Sequence, residues 1–284
     1  MRRLKIFSIV FGCFIIFISF SLFILMLCAS DKLDVDNYEE INQSIDGLKI
    51  SHLSDYHSHG LLYDNSNLGE EIRKFNPDLI FITGDMVDKK TNNLDDVRSL
   101  LDEISIYPIY FVNGNHESNA YIREEFYVLL KEYSVNVLVD EVRTLSYMGK
   151  TINIIGLNDP CFTKRDFFIM PNKGKTEEVL DNLMKDLDGY NILLSHRPEL
   201  INIYQQYNIN LIFSGHAHGG QLRLPLIGTI ATVNQGLFPK YVDGRYEIGD
   251  TVMYVSRGLG TSEIDLRVNC NNQLINVTLK KKSS

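Results

Sequence analysis

The sequence predicts an α/β fold in which parallel strands carry polar side chains at their carboxyl ends. Two observations support this class. Short apolar runs that are typical of buried strands alternate with helical segments from residue 49 onward. A polar motif follows the end of each main strand, which is the edge where open α/β sheets place their ligands. Strands in this βαβ order are expected to be parallel, because a crossover helix joins each pair.

The elements alternate in order along the chain. The first half predicts strands at 49–54, 78–83 and 107–112, with helices at 68–75 and 94–104 between them. The second half predicts a hairpin at 142–147 and 151–156, a helix at 177–187, and strands at 191–194, 210–213, 251–256 and 273–279. Neither an internal repeat nor an interdomain linker interrupts this pattern, so residues 47–284 are predicted to form one domain.

The N-terminus predicts a membrane anchor. Arg2, Arg3 and Lys5 precede an uncharged run from Ile6 to Ala29, and a helix of about 20 apolar residues spans a bilayer. The run lacks a small-residue cleavage pattern at its end, which favours an uncleaved anchor at 1–29 over a signal peptide, the alternative. Residues 30–46 are interpreted as a polar linker. The basic residues in front predict a single-pass protein of the cell membrane, with its N-terminus inside and its domain outside.

Composition excludes some classes. The formal net charge is −8 and the pI is about 5.4, whereas nucleic-acid binding needs clustered Lys and Arg to contact phosphates. We therefore expect no nucleic-acid partner. Four cysteines occur without a CxxC pair, so neither a zinc knuckle nor a disulfide framework is indicated.

Five of the seven histidines lie in short polar motifs. These motifs offer more donors than one tetrahedral zinc can use. Mixed nitrogen and oxygen donors suit two neighbouring divalent ions such as Mn, Fe or Zn. Taken singly, each Asp or Asn residue could instead be a turn former or a helix cap, because both roles are common for these residue types. The candidate ligands are Asp55, His57, Asp85, Asn115, His196, His216 and His218.

The order of the motifs carries a resemblance. They read D-x-H at 55–57, G-D-x-x-D at 84–88, G-N-H-E at 114–117, H at 196 and G-H-x-H at 215–218. This pattern resembles the calcineurin-like metallophosphoesterase family. The continuation G-G-Q-x-R-L-P at 219–225 is similar to the membrane-associated bacterial members. The resemblance implies a four-layer α/β/β/α sandwich and a hydrolase that cleaves P–O bonds with a hydroxide bridging two divalent metals.

The resemblance also implies a role for each residue. One metal would be held by Asp55, His57, Asp85 and His218, and the other by Asp85, Asn115, His196 and His216. His116 would donate a proton to the leaving group, and Asp88 would orient it.

Other residues are candidates for substrate contact. Arg223 has a guanidinium fork that suits phosphate oxygens, and His59 lies beside the first motif. Apolar residues near Leu226, Ile227 and Phe238 predict an apolar surface beside the site.

The anchor favours a phosphoester of the membrane or cell envelope, including a lipid-linked one, as the substrate. An alternative is a phosphodiesterase or phosphatase that acts on small soluble phosphoesters or nucleotides. A second alternative is a catalytically silent binding scaffold on the same fold. Such a scaffold would be expected to lack a ligand or the catalytic histidine, and this sequence has all of them.

Overall fold

The computed structural model describes residues 2–27, 32–58, 64–161, 173–224, 226–261 and 266–282. Its helices are α1 Arg2–Leu27, α2 Asn65–Phe75, α3 Asp95–Ile104, α4 Arg123–Glu132, α5 Lys173–Leu183 and α6 Ile201–Tyr204. Its strands are β1 Leu33–Asn42, β2 Lys49–Leu53, β3 Leu79–Thr83, β4 Ile109–Val112, β5 Asn136–Leu138, β6 Glu141–Tyr147, β7 Lys150–Gly156, β8 Tyr190–Leu194, β9 Leu211–Ser214, β10 Arg223–Leu224, β11 Gly228–Thr229, β12 Ala231–Thr232, β13 Gly236–Leu237, β14 Gly244–Ile248, β15 Thr251–Val255 and β16 Asn272–Lys281.

Two mixed sheets, each with six strands in the described ranges, form the body of the domain. The first has the order β1-β16-β2-β3-β4-β5 and the second the order β14-β15-β9-β8-β7-β6. The predicted βαβαβ region is confirmed as parallel, because β2 pairs in parallel with β3 and β3 with β4. Strands β7, β8 and β9 are parallel as well. The parallel strands of each sheet therefore end at a common edge.

Three apolar cores separate the layers. The first packs α2, α3 and α4 on one face of the first sheet, with Leu100 and Phe126 among its buried residues. The second lies between the two sheets, where Phe81 and Phe213 meet edge to face. The third packs α5 and α6 on the second sheet around Tyr204. The layers consequently follow the order helix, sheet, sheet, helix, because each sheet buries both of its faces.

The linker predicted at 30–46 is wrong for most of its length, because residues 33–42 form β1, which pairs in parallel with β16. Leu33 and Val35 pack against the first core. Glu40 accepts hydrogen bonds from Arg245 Nε at 2.8 Å and from the Tyr254 hydroxyl at 2.9 Å. Acidic residues that resembled a solvated linker are thus neutralised by partners more than 200 positions away.

Helix α1 exposes large apolar side chains, among them Phe11, Ile16 and Phe17. Within the residues that the structure describes, no helix combines the length and the apolar character needed to cross a membrane. The transmembrane segment predicted at 1–29 has no support from these residues.

Candidate metal centre

The predicted ligands lie in loops that leave neighbouring strands. Asp55 follows β2, Asp85 follows β3 and Asn115 follows β4, all in the first sheet. His196 follows β8 and His216 follows β9 in the second sheet. Because the sheets stack face to face, these five loops meet at one end of the domain, as expected for parallel strands.

Five of the ligands have a left-handed backbone, which is uncommon for residues other than glycine. Their φ angles lie between 42° and 65°. Each such residue costs on the order of 1–3 kcal/mol, and strained residues of this kind concentrate at functional sites. The loops hold this conformation by interlocking: Asp55 N donates to Gly84 O at 2.9 Å and His57 N to Asp85 O at 3.0 Å. The five residues are Asp55, His57, Asp85, His216 and His218.

Two glycines allow the loops to approach each other. A Cβ atom at Gly114 would lie 2.2 Å from Asp85 Oδ1, and one at Gly215 would lie 2.2 Å from Asp55 Oδ2. Both distances are far inside van der Waals contact, so any side chain there would displace a ligand. The glycines in the G-N-H-E and G-H-x-H motifs are therefore required by close packing around the carboxylates.

The first donor cluster comprises Asp55, His57, Asp85 and His218, all buried. Nε2 of His218 lies 3.2 Å from Asp55 Oδ1 and 3.3 Å from Nε2 of His57. Around a metal with bonds of about 2.0–2.2 Å, neighbouring ligand atoms stand about 2.8–3.1 Å apart in octahedral geometry and about 3.3–3.6 Å apart in tetrahedral geometry. The spacing of these donors therefore fits a single coordinated ion.

The second cluster comprises Asp85, His196 and His216, with Asn115 on the next loop. Asn115 Oδ1 is buried and accepts no hydrogen bond, which is rare for a buried polar atom. Asp85 Oδ2 and His196 Nε2, also buried, face each other at 3.0 Å, and all three atoms are metal-ligand types. Nδ1 of His196 is bound to Thr83 O at 2.7 Å, which directs Nε2 towards the cluster. The donor set therefore fits a second cation, and Asp85 belongs to both clusters.

The electrostatics of the pocket also favour cations. Burial opposes a charge on His196, but Asp85 and Asp55 outweigh it and raise the pKa of His196 to about 10. Without a metal the ring therefore carries a proton beside Asp85, and a cation bound there would displace that proton and leave His196 neutral. Burial lowers the pKa of both His216 and His218 well below the usual value, which leaves them neutral and able to act as ligands. The pKa of Asp85 is held well below its usual value, because His196 and His116 prevail over burial.

His116 lies at the edge of this pocket. Its backbone N donates to Asp85 Oδ1 at 2.8 Å, and its Nε2 lies 4.0 Å from Asp85 Oδ2. Burial lowers the pKa of His116 to about 4, so its imidazole is neutral at pH 7. Asp88 lies near His116, within 4.8 Å between ligand atoms, but its Oδ2 is 3.2 Å from Nδ1 of His57. Asp88 thus supports His57 directly, whereas the sequence predicted a role for Asp88 only towards His116.

The structure describes one of the two candidates for substrate contact, Arg223. The guanidinium of Arg223 is paired with Asp243, with Nη1 to Oδ2 at 2.8 Å and Nη2 to Oδ1 at 3.3 Å. The fork that suited a phosphate is therefore occupied by a carboxylate of the same chain. His59 lies outside the described residues.

Two further residues at the site are not among the ligands and catalytic groups predicted from the sequence. Glu117 is fully buried and accepts from the backbone N of Met86 at 2.7 Å and of Gly114 at 2.9 Å, which ties two ligand loops together. Burial and Asp85 raise its pKa to about 7. The only feature of the sequence that could have indicated this role is the position of Glu117 at the end of the G-N-H-E motif.

Arg197 is the second such residue. Its Nη1 lies 3.3 Å from Nε2 of His216, and its Nε donates to Asp159 Oδ2 at 2.6 Å. All of these groups are buried. Only its position next to His196 connects it to the site in the sequence, because Asp159 belongs to none of the motifs.

The comparisons with known proteins agree with this geometry. The calcineurin-like phosphoesterase family model matches residues 48–220. The uncharacterized metallophosphoesterase YkuE of Bacillus subtilis (strain 168) is 32% identical over 249 residues, which cover 84% of this chain and 82% of YkuE. The phosphodiesterase YaeI of Escherichia coli (strain K12) is 29% identical over 243 residues, which cover 80% of each protein.

Among solved structures, a 5'-nucleotidase precursor from Thermus thermophilus superimposes with a TM-score of 0.50 at 15% identity, over 75% of this chain and 49% of that one. At this identity the likeness concerns the fold alone. The family model and the relative in Bacillus subtilis are decisive. The chain belongs to the calcineurin-like phosphoesterase family and is a hydrolase that acts on phosphoester bonds.

Proposed function

We propose that this protein hydrolyses the P–O bond of a membrane- or envelope-associated phosphoester with the help of two divalent cations, Mn, Fe or Zn. The observation that carries the proposal is the position of Asp85, whose carboxylate belongs to both donor clusters. Its Oδ2 lies 3.0 Å from Nε2 of His196 in one cluster and 3.9 Å from Nε2 of His57 in the other, so Asp85 would help to hold both cations. Paired cations about 3.5–4 Å apart are the arrangement that supports attack on phosphorus.

Two sets of residues would hold the cations. One set would be Asp55, His57, Asp85 and His218, and the other would be Asp85, Asn115, His196 and His216. The cations supply Lewis acidity, which lowers the pKa of water and neutralises charge on the phosphoryl group.

His116 would act on the leaving group. Its imidazole is neutral at pH 7 because burial lowers its pKa to about 4, so it presents an N–H donor rather than a fixed positive charge. A neutral imidazole has no acidic proton to give up, so His116 would donate a hydrogen bond that strengthens as negative charge develops on the leaving oxygen, and that oxygen would take its proton from solvent. Asp88, which holds His57 at 3.2 Å and lies close to His116, would keep both rings in place.

The membrane part of the proposal rests on the sequence. The uncharged run from Ile6 to Ala29 follows three basic residues, and a basic N-terminal flank favours an N-terminus inside and a domain outside. The exposed apolar side chains of α1 are consistent with a lipid environment. A domain held at the outer face would meet phosphoesters attached to lipids or envelope polymers at a high local concentration.

The test uses the full chain in detergent, stripped of metal with a chelator. Hydrolysis of a chromogenic phosphodiester and a chromogenic phosphomonoester is then measured with Mn, Fe or Zn added. We expect activity to return with metal and to fall at least about 100-fold in Asp85→Asn, because a ligand of both cations is impaired. Asp95→Asn, which alters an exposed carboxylate on α3, is the matched control. Full activity in Asp85→Asn, or in chelated protein, would overturn the proposal.

A further inference from the structure

Two small hairpins beside the metal centre expose large apolar side chains. The hairpins are β10–β11 and β12–β13. We call the four residues Leu226, Ile227, Leu237 and Phe238 the apolar rim. Leu226 is fully exposed and Phe238 is 69% exposed. A cluster of this kind on a soluble domain marks a surface that is covered by something else.

The rim is attached directly to the metal centre. Thr229 Oγ1 donates to Gly219 O at 2.8 Å, which fixes the first hairpin to the loop that follows His218. Asn234 Oδ1, in the second hairpin, lies 3.3 Å from Nε2 of His216. The hairpins are joined to each other where Phe238 N donates to Ile230 O at 2.7 Å. The rim therefore borders the same end of the domain as the predicted ligands.

The backbone at the rim is strained as well as exposed. Leu226 has a φ of 66° and Phe238 a φ of 51°. A left-handed conformation costs a bulky residue about 1–2 kcal/mol. Burial within this domain does not offset that cost, because both side chains are exposed. A surface that covers the rim would supply the compensating burial.

Three successive ion pairs connect the first hairpin to the start of β1, where the N-terminal segment joins the domain. Arg223, on β10, pairs with Asp243 at 2.8 Å, Asp243 with Arg257 at 3.3 Å, and Arg257 with Asp34 at 2.7 Å. Asp34 is the second residue of β1. Because the chain between Leu27 and Leu33 can span at most about 20 Å, the end of α1 cannot lie far from this edge.

We infer that the apolar rim docks on the surface of a lipid bilayer, so that the metal centre opens towards phosphoester groups at the membrane surface. The inference rests on the proposed membrane placement of α1 and adds the orientation of the domain. Rim side chains would enter the boundary between headgroups and acyl chains, about 5–10 Å deep, as interfacial apolar residues do. Among alternative covers, a second copy of the chain or α1 itself would keep the rim away from lipid.

The absence of tryptophan from the chain allows a direct test. Full-length Phe238→Trp is reconstituted in phosphatidylglycerol and phosphatidylethanolamine vesicles, with or without acyl-brominated phosphatidylcholine. Ile106→Trp is the matched control, because Ile106 is 72% exposed and lies before β4, at the opposite edge of the sheet. We expect bromine to quench the rim reporter at least about twofold more than the control, since bromine reports acyl-chain depth.

Equal quenching of the two reporters would overturn the inference, and so would a blue-shifted rim reporter that bromine does not quench. The first result would mean that the rim stays in water, and the second that protein covers it. Hydrolysis of the chromogenic phosphodiester and phosphomonoester by the metal-loaded, unmodified chain is measured separately. Inactivity on both would refute the proposed function and leave the quenching result intact, so the two claims fail independently.

Discussion

Substituting alanine for Gly114 tests whether close packing of the loops positions the shared carboxylate. The added Cβ would lie 2.2 Å from Asp85 Oδ1 and 2.8 Å from Asp85 Cγ. Since ordinary contacts begin at about 3.4 Å, Asp85 or the loop must move by about 1 Å. Such overpacking costs about 1–3 kcal/mol of stability. The move also breaks the 2.8 Å hydrogen bond from His116 N to Asp85 Oδ1.

We expect Gly114→Ala to lower metal affinity about 10–100-fold, as changes around metal ligands do, and to lower kcat/KM by about 100-fold. Calorimetric titration with Mn measures the first and hydrolysis of a chromogenic phosphodiester the second. Gly149→Ala is the control: its Cβ meets nothing within 4 Å, although its φ of 75° strains alanine. The control should lose about 1 kcal/mol of stability and keep its metals. Two cations bound by Gly114→Ala with unchanged affinity would refute the reasoning.

Three further predictions concern single side chains. Burial lowers the pKa of His52 to about 3; between pH 6.5 and 3 the unfolded chain binds a proton that the folded chain does not, so acid destabilises the fold. The free energy of unfolding, measured with urea, should decrease from pH 7 to pH 5 in the unmodified chain by about 2 kcal/mol more than it does in His52→Asn. An equal decrease in both proteins would contradict this. His116→Asn should lower kcat by about 10²–10⁴-fold while elemental analysis still finds two metals per chain; a loss of metal would instead make His116 a ligand. Asp159→Asn should cost about 1–3 kcal/mol in urea unfolding of chelated protein, because the buried Arg197 loses its closer carboxylate partner and keeps only Glu199, at 3.3 Å; a change below about 0.5 kcal/mol would show that the Asp159 pair is dispensable.

The positions of the candidate ligands could be predicted because they depend on local rules. Each motif directly follows an apolar run, and the carboxyl ends of parallel strands must meet. Asp85 and His196 are 111 positions apart in the printed sequence, yet their donor atoms lie 3.0 Å apart. The βαβ rule requires no knowledge of the partner strand. The layer order depended on the resemblance, and the three cores have now given it a physical basis.

The features that were missed depend on distant partners. Strand β1 resembles a polar linker because the carboxylates of Asp34 and Glu40 find Arg257 and Arg245 only in the folded chain. Helix α4 and strand β5, within residues 123–138, were not predicted. The pairing of Arg223 with Asp243 had no signal in local spacing. Ion pairs between remote segments therefore mark the limit of inference from local patterns.

The most direct test of the shared carboxylate is anomalous diffraction from crystals of the Mn-loaded protein. We predict two manganese peaks about 3.5–4 Å apart, one on each side of Asp85, with His218 beside one peak and His196 beside the other. A single peak at this end of the domain, or two peaks that do not share Asp85, would contradict the assignment.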